Sequence, residues 1–325
     1  MRPLCFVTGA TGFLGRALVP RLAATHRLRL LVRAGQLLER FENLELEQVE
    51  GRLADEAALA AGVRGCDLVV HLAAMVSFRP EDREAMLAVN TTGTARLAAL
   101  ARAAGVRRFL HVSTISAVGY SNHPIELDEQ TPFNFGPLHI GYCDSKFAAE
   151  ERVLAEARAG LDAVIVNPPS MYGPGDRRKG DDSLIGSVLA RRMRFAPAGG
   201  LNVAAVEDVC DGIMRAIARG RTGERYILGG ENLTGLQLLA RIAQVVGRTA
   251  PQRTVPRWLV LAAAHLLRQK ERLVGSRPPL TSEVLQLAGR YLWYSSAKAD
   301  RELDWRAGPV TPGIEAAWHE LRANG

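Results

Sequence analysis

The feature that most restricts the fold is the segment Thr8–Gly15, TGATGFLG, in which Gly9, Gly12 and Gly15 stand between an apolar run and a helical pattern. Leu4–Thr8 reads as a short buried strand, and Gly12–Ala24 carries apolar residues at helical spacing. Glycine permits a tight turn and lets backbone N–H groups approach a bound group closely, while the start of a helix attracts an anion. Strand, glycine loop and helix in that order predict a pyrophosphate-binding turn at Gly9, Thr11, Gly12, Phe13, Leu14 and Gly15, and so a dinucleotide site. The spacing is G-x-x-G-x-x-G, not the G-x-G-x-x-G of the standard fingerprint, and a plain strand-to-helix turn of small residues is the simpler alternative.

The alternation continues downstream. Strand-like runs at Leu28–Val32, Leu46–Val49, Leu68–His71, Arg108–Ser113 and Ala163–Asn167 are separated by helical patterns, notably Arg83–Ala104 and Tyr142–Arg158. Repeated βαβ units predict an α/β fold with a doubly wound parallel sheet, a Rossmann fold, whose ligand crevice lies at the carboxyl ends of the strands. After Asn167 the texture changes to Pro/Gly-punctuated segments such as PPSMYGPGD at 168–176. Residues 1–179 are therefore expected to form the nucleotide-binding domain, and 180–325 mostly a smaller C-terminal substrate-binding cap. Val203–Val206 and Arg225–Leu228 are strand candidates there, and some of these segments are expected to return to the first domain.

Composition removes several classes of function. The net charge of +7 comes almost wholly from arginine, since Lys146, Lys179, Lys270 and Lys298 are the only lysines among 41 basic residues. These charges are interleaved with Asp and Glu and form no long run, which argues against nucleic acid as a partner. Cys5, Cys66, Cys143 and Cys210 show no CxxC spacing, so neither a metal site nor a disulfide framework is expected. The apolar run at the N-terminus is too short for a signal peptide, and a cytoplasmic location is expected. The longest apolar stretch, WLVLAAAHLL at 258–267, has ten residues where about 20 are needed to cross a bilayer. It predicts a helix of the core in preference to an interfacial one, with peripheral membrane contact as the alternative.

Three further features carry chemistry. Arg33 ends the second strand, where an enzyme using NAD would carry Asp or Glu for the ribose 2′-hydroxyl. Its guanidinium could hold a 2′-phosphate instead, which favours NADP(H) over NAD(H), against the alternative of a solvated surface arginine. Tyr142 and Lys146 in YCDSK stand four residues apart on one helix face, where an ammonium would lower the phenol pKa and make it a usable proton donor. Lys146 is also the only lysine before residue 179 in a chain that otherwise uses arginine. Ser113-Thr114 end the strand FLHVST, where a hydroxyl could bind a substrate oxygen or merely cap the loop.

Taken together, TGATGFLG, HLAA (71–74), VNTTGT (89–94), VST (112–114), YCDSK, PPSMYGP (168–174), AVEDV (205–209) and WYSSAKADRELDW (293–305) resemble the extended branch of the short-chain dehydrogenase/reductases, the NAD-dependent epimerase/dehydratase family. The resemblance implies that Tyr142 is the general acid/base and that Lys146 lowers its pKa and holds the nicotinamide ribose. It implies that Thr114 binds the reacting oxygen and that Asn90 has a structural or proton-relay role. Pro168 would line the nicotinamide, Ala73 would border the adenosine ribose and phosphates, and Leu53 would lie near adenine. Arg52, beside it, departs from the usual acidic residue. Helices flanking the active site, that of Tyr142 included, would pair in a homodimer.

Departures within the branch bear on the substrate. Dehydratases of nucleotide sugars carry Asp-Glu directly after the catalytic Thr, where this chain has Ile115-Ser116. Nucleotide-sugar enzymes also favour an Asn where Ser170 stands and an Arg in the region of the uncharged run Gly199–Val203. The sequence is most similar to dihydroflavonol-reductase-like and 3β-hydroxysteroid-dehydrogenase-like members. The resulting expectation is an NADP(H)-dependent oxidoreductase that interconverts a ketone or aldehyde and an alcohol on a relatively apolar small molecule, with Thr114, Tyr142 and Ser170 at the substrate. Two alternatives are a nucleotide-sugar epimerase that keeps its NAD(P) tightly held, and a non-catalytic NAD(P)-sensing Rossmann protein.

Overall fold

A computed structural model describes residues 2–36, 41–175, 183–274 and 281–323. The expected boundary at 179/180 falls outside these residues. The first half alternates strand and helix: β1 (Leu4–Thr8), α1 (Phe13–Ala23), β2 (Arg27–Val32), β3 (Leu46–Glu50), α2 (Glu56–Val63) and β4 (Leu68–His71). After β4 come α3 (Arg83–Met86), a π-helical stretch Leu87–Thr92, and α4 (Gly93–Ala103), and then β5 (Arg108–Val112), α5 (Gly141–Arg158) and β6 (Ala163–Asn167). The region expected to be one regular helix, Arg83–Ala104, is thus interrupted by a wider turn around Asn90.

The second half contains β7 (Ser170–Tyr172), α6 (Leu184–Leu189), β8 (Ala196–Pro197), β9 (Gly200–Ala205), α7 (Val206–Arg219), β10 (Arg225–Ile227), β11 (Glu231–Thr234) and α8 (Gly235–Val246). It ends with β12 (Thr254–Val255), α9 (Arg257–Val274), α10 (Ser282–Leu287), β13 (Tyr291–Leu292), α11 (Ala297–Leu303) and α12 (Thr311–Ala323).

The main sheet has seven strands in the order β10-β6-β5-β4-β1-β2-β3, and every neighbouring pair is parallel. The order reverses between β1 and β4, so the crevice of this Rossmann fold opens where those two strands end. Parallel strands covered on both faces read as continuous apolar runs because each residue meets a core on one side or the other. On β1, Cys5 and Val7 join the core beneath α1, α7 and α11, while Leu4 and Phe6 join the opposite core beneath α2, α4 and α5. Each large apolar side chain buried in this way contributes about 1.5–3 kcal/mol.

Four strands of the later half, β7, β9, β11 and β13, form a separate sheet around β9, whereas β10 pairs with β6 and extends the main sheet. The expectation of a core helix at 258–267 needs correction. Only Val260 and Ala264 of that run are buried, and Trp258, Leu259 and Leu266 face outward.

Candidate active site

The glycine loop is shaped by backbone contacts. Gly9 has φ +76°, and a Cβ there would lie 2.6 Å from the Ala73 nitrogen and 2.8 Å from the Ala73 Cα. The first turn of α1 begins at Gly12, whose N–H donates to the Gly9 carbonyl at 3.0 Å, and no side chain caps it. By contrast, the side chains of Asp55, Ser183, Thr234 and Thr281 cap α2, α6, α8 and α10. Phe13, Leu14 and Gly15 therefore open a helix whose amides are left for an external acceptor, and the Leu14 side chain turns into the core. The Thr11 hydroxyl accepts from Gln36 Nε2 at 2.7 Å, which ties this loop to the segment after β2. These residues fit a dinucleotide pyrophosphate.

Arg33 is exposed just beyond β2, and its guanidinium has no ion-pair partner among the described residues. Leu53 is buried and packs over Gly93, where a Cβ would lie 2.8 Å from the Leu53 Cβ. Ala73 follows β4 with its N–H donating to the Thr8 hydroxyl at 3.3 Å. All four ends of this rim, Gly9, Arg33, Leu53 and Ala73, follow the carboxyl ends of β1, β2, β3 and β4.

At the carboxyl end of β5, Thr114 starts a single 3₁₀ turn, and its hydroxyl accepts from the Ser116 N–H at 3.2 Å. The Tyr142 phenol, in the first turn of α5, faces this hydroxyl. Phe78 packs edge-on against the phenol with ring centroids 5.5 Å apart. Burial pushes the phenol up to about 12, and the Thr114 hydrogen bond offsets part of that rise. Helical spacing led us to expect the Lys146 ammonium to lower the phenol, and here the structure differs. Lys146 is fully buried and turns inward, donating to the Val112 carbonyl at 3.0 Å and to His111 Nε2 at 3.4 Å. Its own pKa falls to about 8 because burial penalises the charge, with the Glu150 carboxylate opposing the fall.

Asn90 acts as a clasp. Its Oδ1 accepts from the Met75 N–H at 2.8 Å, and its Nδ2 donates to the Met75 carbonyl at 2.9 Å and to the Ser145 hydroxyl at 3.0 Å. The π-helical turn brings Asn90 and Thr91 to the same stretch of α5, where the Thr91 hydroxyl donates to the Ser145 carbonyl at 2.9 Å. Wide turns of this kind often occur at functional sites. Pro168 is buried beside the site, and its carbonyl accepts from the Ile115 N–H at 3.1 Å. Ser170 opens β7 and is exposed, and its hydroxyl has no hydrogen-bond partner among the described residues.

Several residues at this site were not singled out from the sequence. Asn167 Nδ2 donates to the Thr114 carbonyl at 2.9 Å and to Glu150 Oε1 at 2.6 Å. His71 stands between the hydroxyls of Thr8, 2.6 Å away, and Thr94, 2.8 Å away, and its ring lies 5.2 Å from that of His111. Burial first and Lys146 second hold both imidazoles below the ordinary range, His71 at about 3, so both are neutral at pH 7. Glu283, at the start of α10, accepts from the Gly141 N–H at 3.4 Å and is pushed by burial up to about 7. The available signal was a polar residue within an apolar strand run, as in LVVH, FLHV and AVIVN.

Comparison with known proteins identifies the family and the fold. The model of the NAD-dependent epimerase/dehydratase family matches residues 5–229. A Synechocystis protein whose name assigns it to the dihydroflavonol 4-reductases is 33% identical over 326 residues, spanning 98% of this chain and 95% of the relative. The 4-hydroxy-2-methyl-3-oxo-4-farnesyl-3,4-dihydroquinoline-1-oxide ketoreductase of Stigmatella aurantiaca is 32% identical over 319 residues, 96% of this chain and 94% of the relative. The solved structure of gox2253 matches with a TM-score of 0.87 at 32% identity, covering 100% of this chain and 99% of that one.

Proposed function

Because the chain belongs to the NAD-dependent epimerase/dehydratase family and is an NAD(P)-dependent reductase or dehydrogenase, we propose that it reduces the carbonyl of an apolar small molecule with NADPH, or runs the reverse oxidation. The observation that carries this reading is the Thr114 hydroxyl against the Tyr142 phenol, at the end of β5 beside the buried Lys146.

The Gly9–Gly15 loop would hold the dinucleotide and Arg33 its 2′-phosphate, and the group so held would supply the hydride chemistry. Tyr142 donates the proton from its phenol oxygen to the substrate oxygen. Burial holds the phenol in its protonated form, so it carries the proton to be given, and drawing its pKa back toward neutrality is the part the Lys146 charge would play. Thr114 and Tyr142 together offer two hydroxyl donors to charge developing on that oxygen. Lys146, held by Val112 and His111 with the Glu150 carboxylate nearby, keeps a positive charge one helix turn from the phenol. Leu53 and Ala73 would flank the adenosine, Pro168 the nicotinamide and Ser170 the substrate, with the chain beyond residue 179 forming most of the substrate side.

An apolar substrate is favoured by the farnesyl-bearing compound in the name of the Stigmatella relative. It is favoured also by Ile115-Ser116 and Ser170, which replace the polar residues expected of nucleotide-sugar enzymes. The test is NADPH oxidation with a panel of hydrophobic ketones and aldehydes and one nucleotide sugar. Tyr142→Phe should reduce turnover by about 10²–10⁴-fold and leave NADPH affinity within about threefold of wild type. Near wild-type turnover in that variant, or conversion of the nucleotide sugar without net NADPH consumption, would overturn the reading.

A further inference from the structure

α9 is an inverted surface helix. Its inward side carries Val260, Ala264 and Glu271, the last accepting from the Ser282 N–H at 2.9 Å and from the Ser282 hydroxyl at 2.6 Å. Its outward side carries Trp258, Leu259, Ala262 and Leu266, and Trp258 and Leu266 are 67% and 70% exposed. At 100° per residue these four fall within about one third of the helix circumference, so they form one apolar stripe. A helix covering a soluble core normally carries the opposite arrangement.

The surroundings of the stripe are cationic. β8 and β12 pair in parallel with Ala196 opposite Thr254, which sets exposed Phe195 beside exposed Arg253, just before β12 and four residues ahead of α9. The two stretches joined here, residues 184–206 and 232–270, contain nine Arg or Lys and no Asp or Glu. Arg241 is neutralised by Glu231, but Arg191, Arg194, Arg253 and Lys270 are exposed.

We infer that the outward stripe of α9, with Phe195 and the cations around it, docks on an anionic lipid bilayer, the helix lying in the plane of the interface. Trp258 suits the headgroup boundary, the aliphatic residues enter the acyl region, and the cations meet lipid phosphates. Two copies of the chain could not share this face without opposing their own positive charge. A nucleic acid would satisfy the arginines but leave Leu259 and Leu266 without a role. No helix among the described residues is long and apolar enough to cross a membrane, so the contact is peripheral. The inference goes beyond the proposed reaction and does not depend on it.

The full chain would be sedimented with vesicles of phosphatidylcholine alone and with about 30% phosphatidylglycerol, at low and raised salt, while tryptophan emission is followed. Wild type is expected to bind the anionic vesicles with a blue shift, and to bind less as salt rises. Trp258→Ser/Leu266→Ser and, separately, Arg194→Glu/Arg253→Glu should each weaken binding at least about tenfold, with melting temperatures unchanged. The inference fails if wild type ignores both vesicles or binds them equally, or if the serine pair binds as well as wild type. It fails also if a single-stranded oligonucleotide displaces the vesicles with no contribution from Trp258, or if the same stripe instead mediates a concentration-dependent dimer.

Discussion

Replacing Gly9 with alanine tests the link between the glycine loop and the cofactor, because the structure separates two penalties at that residue. A residue with a Cβ held at φ +76° costs about 1–2 kcal/mol in backbone conformation alone. The new Cβ would also lie within 2.8 Å of the Ala73 nitrogen and Cα and the Leu72 carbonyl carbon. All three are backbone atoms of the segment after β4, so no side-chain rotation relieves the clash. Such overpacking costs about 1–3 kcal/mol more. Gly105 provides the control, since it has φ +69° and nothing within 4 Å of a Cβ. With an unfolding entropy of about 2.1 cal/mol/K per residue, each kcal/mol lowers the Tm of a chain this size by about 1.5 °C. Gly9→Ala should therefore lower Tm by about 3–7 °C and Gly105→Ala by about 1.5–3 °C. Only Gly9→Ala should also raise the NADPH Kd, by about tenfold or more, because relief of the clash moves the amides that face the pyrophosphate. Calorimetry and nucleotide fluorescence titration measure both effects. Equal melting shifts with unchanged NADPH affinity would refute the account of the loop.

The other expectations concern charge and proton transfer. Arg33→Ala should weaken NADPH binding by about 10–100-fold, a charge-assisted hydrogen bond being worth about 1.5–3 kcal/mol, and leave NADH unchanged; equal loss for both nucleotides would exclude a 2′-phosphate contact. Lys146 sits at about 8 in the folded chain because it is buried. The unfolded chain, with a lysine near 10.4, binds the extra proton between those values, so stability should rise with pH across that window by at most about 3 kcal/mol. Lys146→Met should lack this gain in urea melts at pH 8 and pH 10, and parallel pH dependence in the two proteins would contradict the burial argument. Tyr142→Phe should abolish most turnover while retaining NADPH, and the serine pair on α9 should release the protein from anionic vesicles, each read in the assay described above.

Strands β1, β4, β5 and β6 were legible in the sequence because both faces of a parallel sheet are covered there and each appears as a run of mostly apolar residues, whereas β3, LEQVE at the sheet edge, has no buried residue and gives the weakest signal. Tyr142 and Lys146 were legible by their spacing, which places two positions on one helix face. Spacing does not say where a flexible ammonium goes. Its direction is set by the Val112 carbonyl and His111 on a strand more than thirty residues away. His71 and His111 were visible as polar residues in apolar runs, but their proximity requires β4 and β5 to be neighbours in a register that sets one opposite the other. The wide turn at Asn90 follows from partners at Met75 and Ser145, and no local propensity encodes it. For α9 the periodicity gave the helix, whereas the side left uncovered depends on where α10 packs.

The site is held differently on its two sides, and this bears on how one fold can keep its chemistry while its substrate varies. Thr114 is fixed by Asn167 through its carbonyl and by Pro168 through the following N–H, both from the segment that ends β6. Tyr142 is fixed through α5, by Asn90 and Thr91 at Ser145 and by the Arg83–Asp144 ion pair at 2.8 Å. All these anchors lie in the first 170 residues and are polar, and those that are buried would cost about 1–3 kcal/mol if a partner were missing. The later half contributes two polar anchors, Glu283 at the Gly141 N–H and the Tyr294 hydroxyl at the Ile115 and Gly119 carbonyls, together with apolar packing by Leu287 and Leu292. Apolar contacts tolerate exchange of similar volumes far better than buried hydrogen bonds tolerate loss of a partner. Substitution in the late segments can therefore reshape the substrate side while the Thr114–Tyr142 pair keeps its geometry.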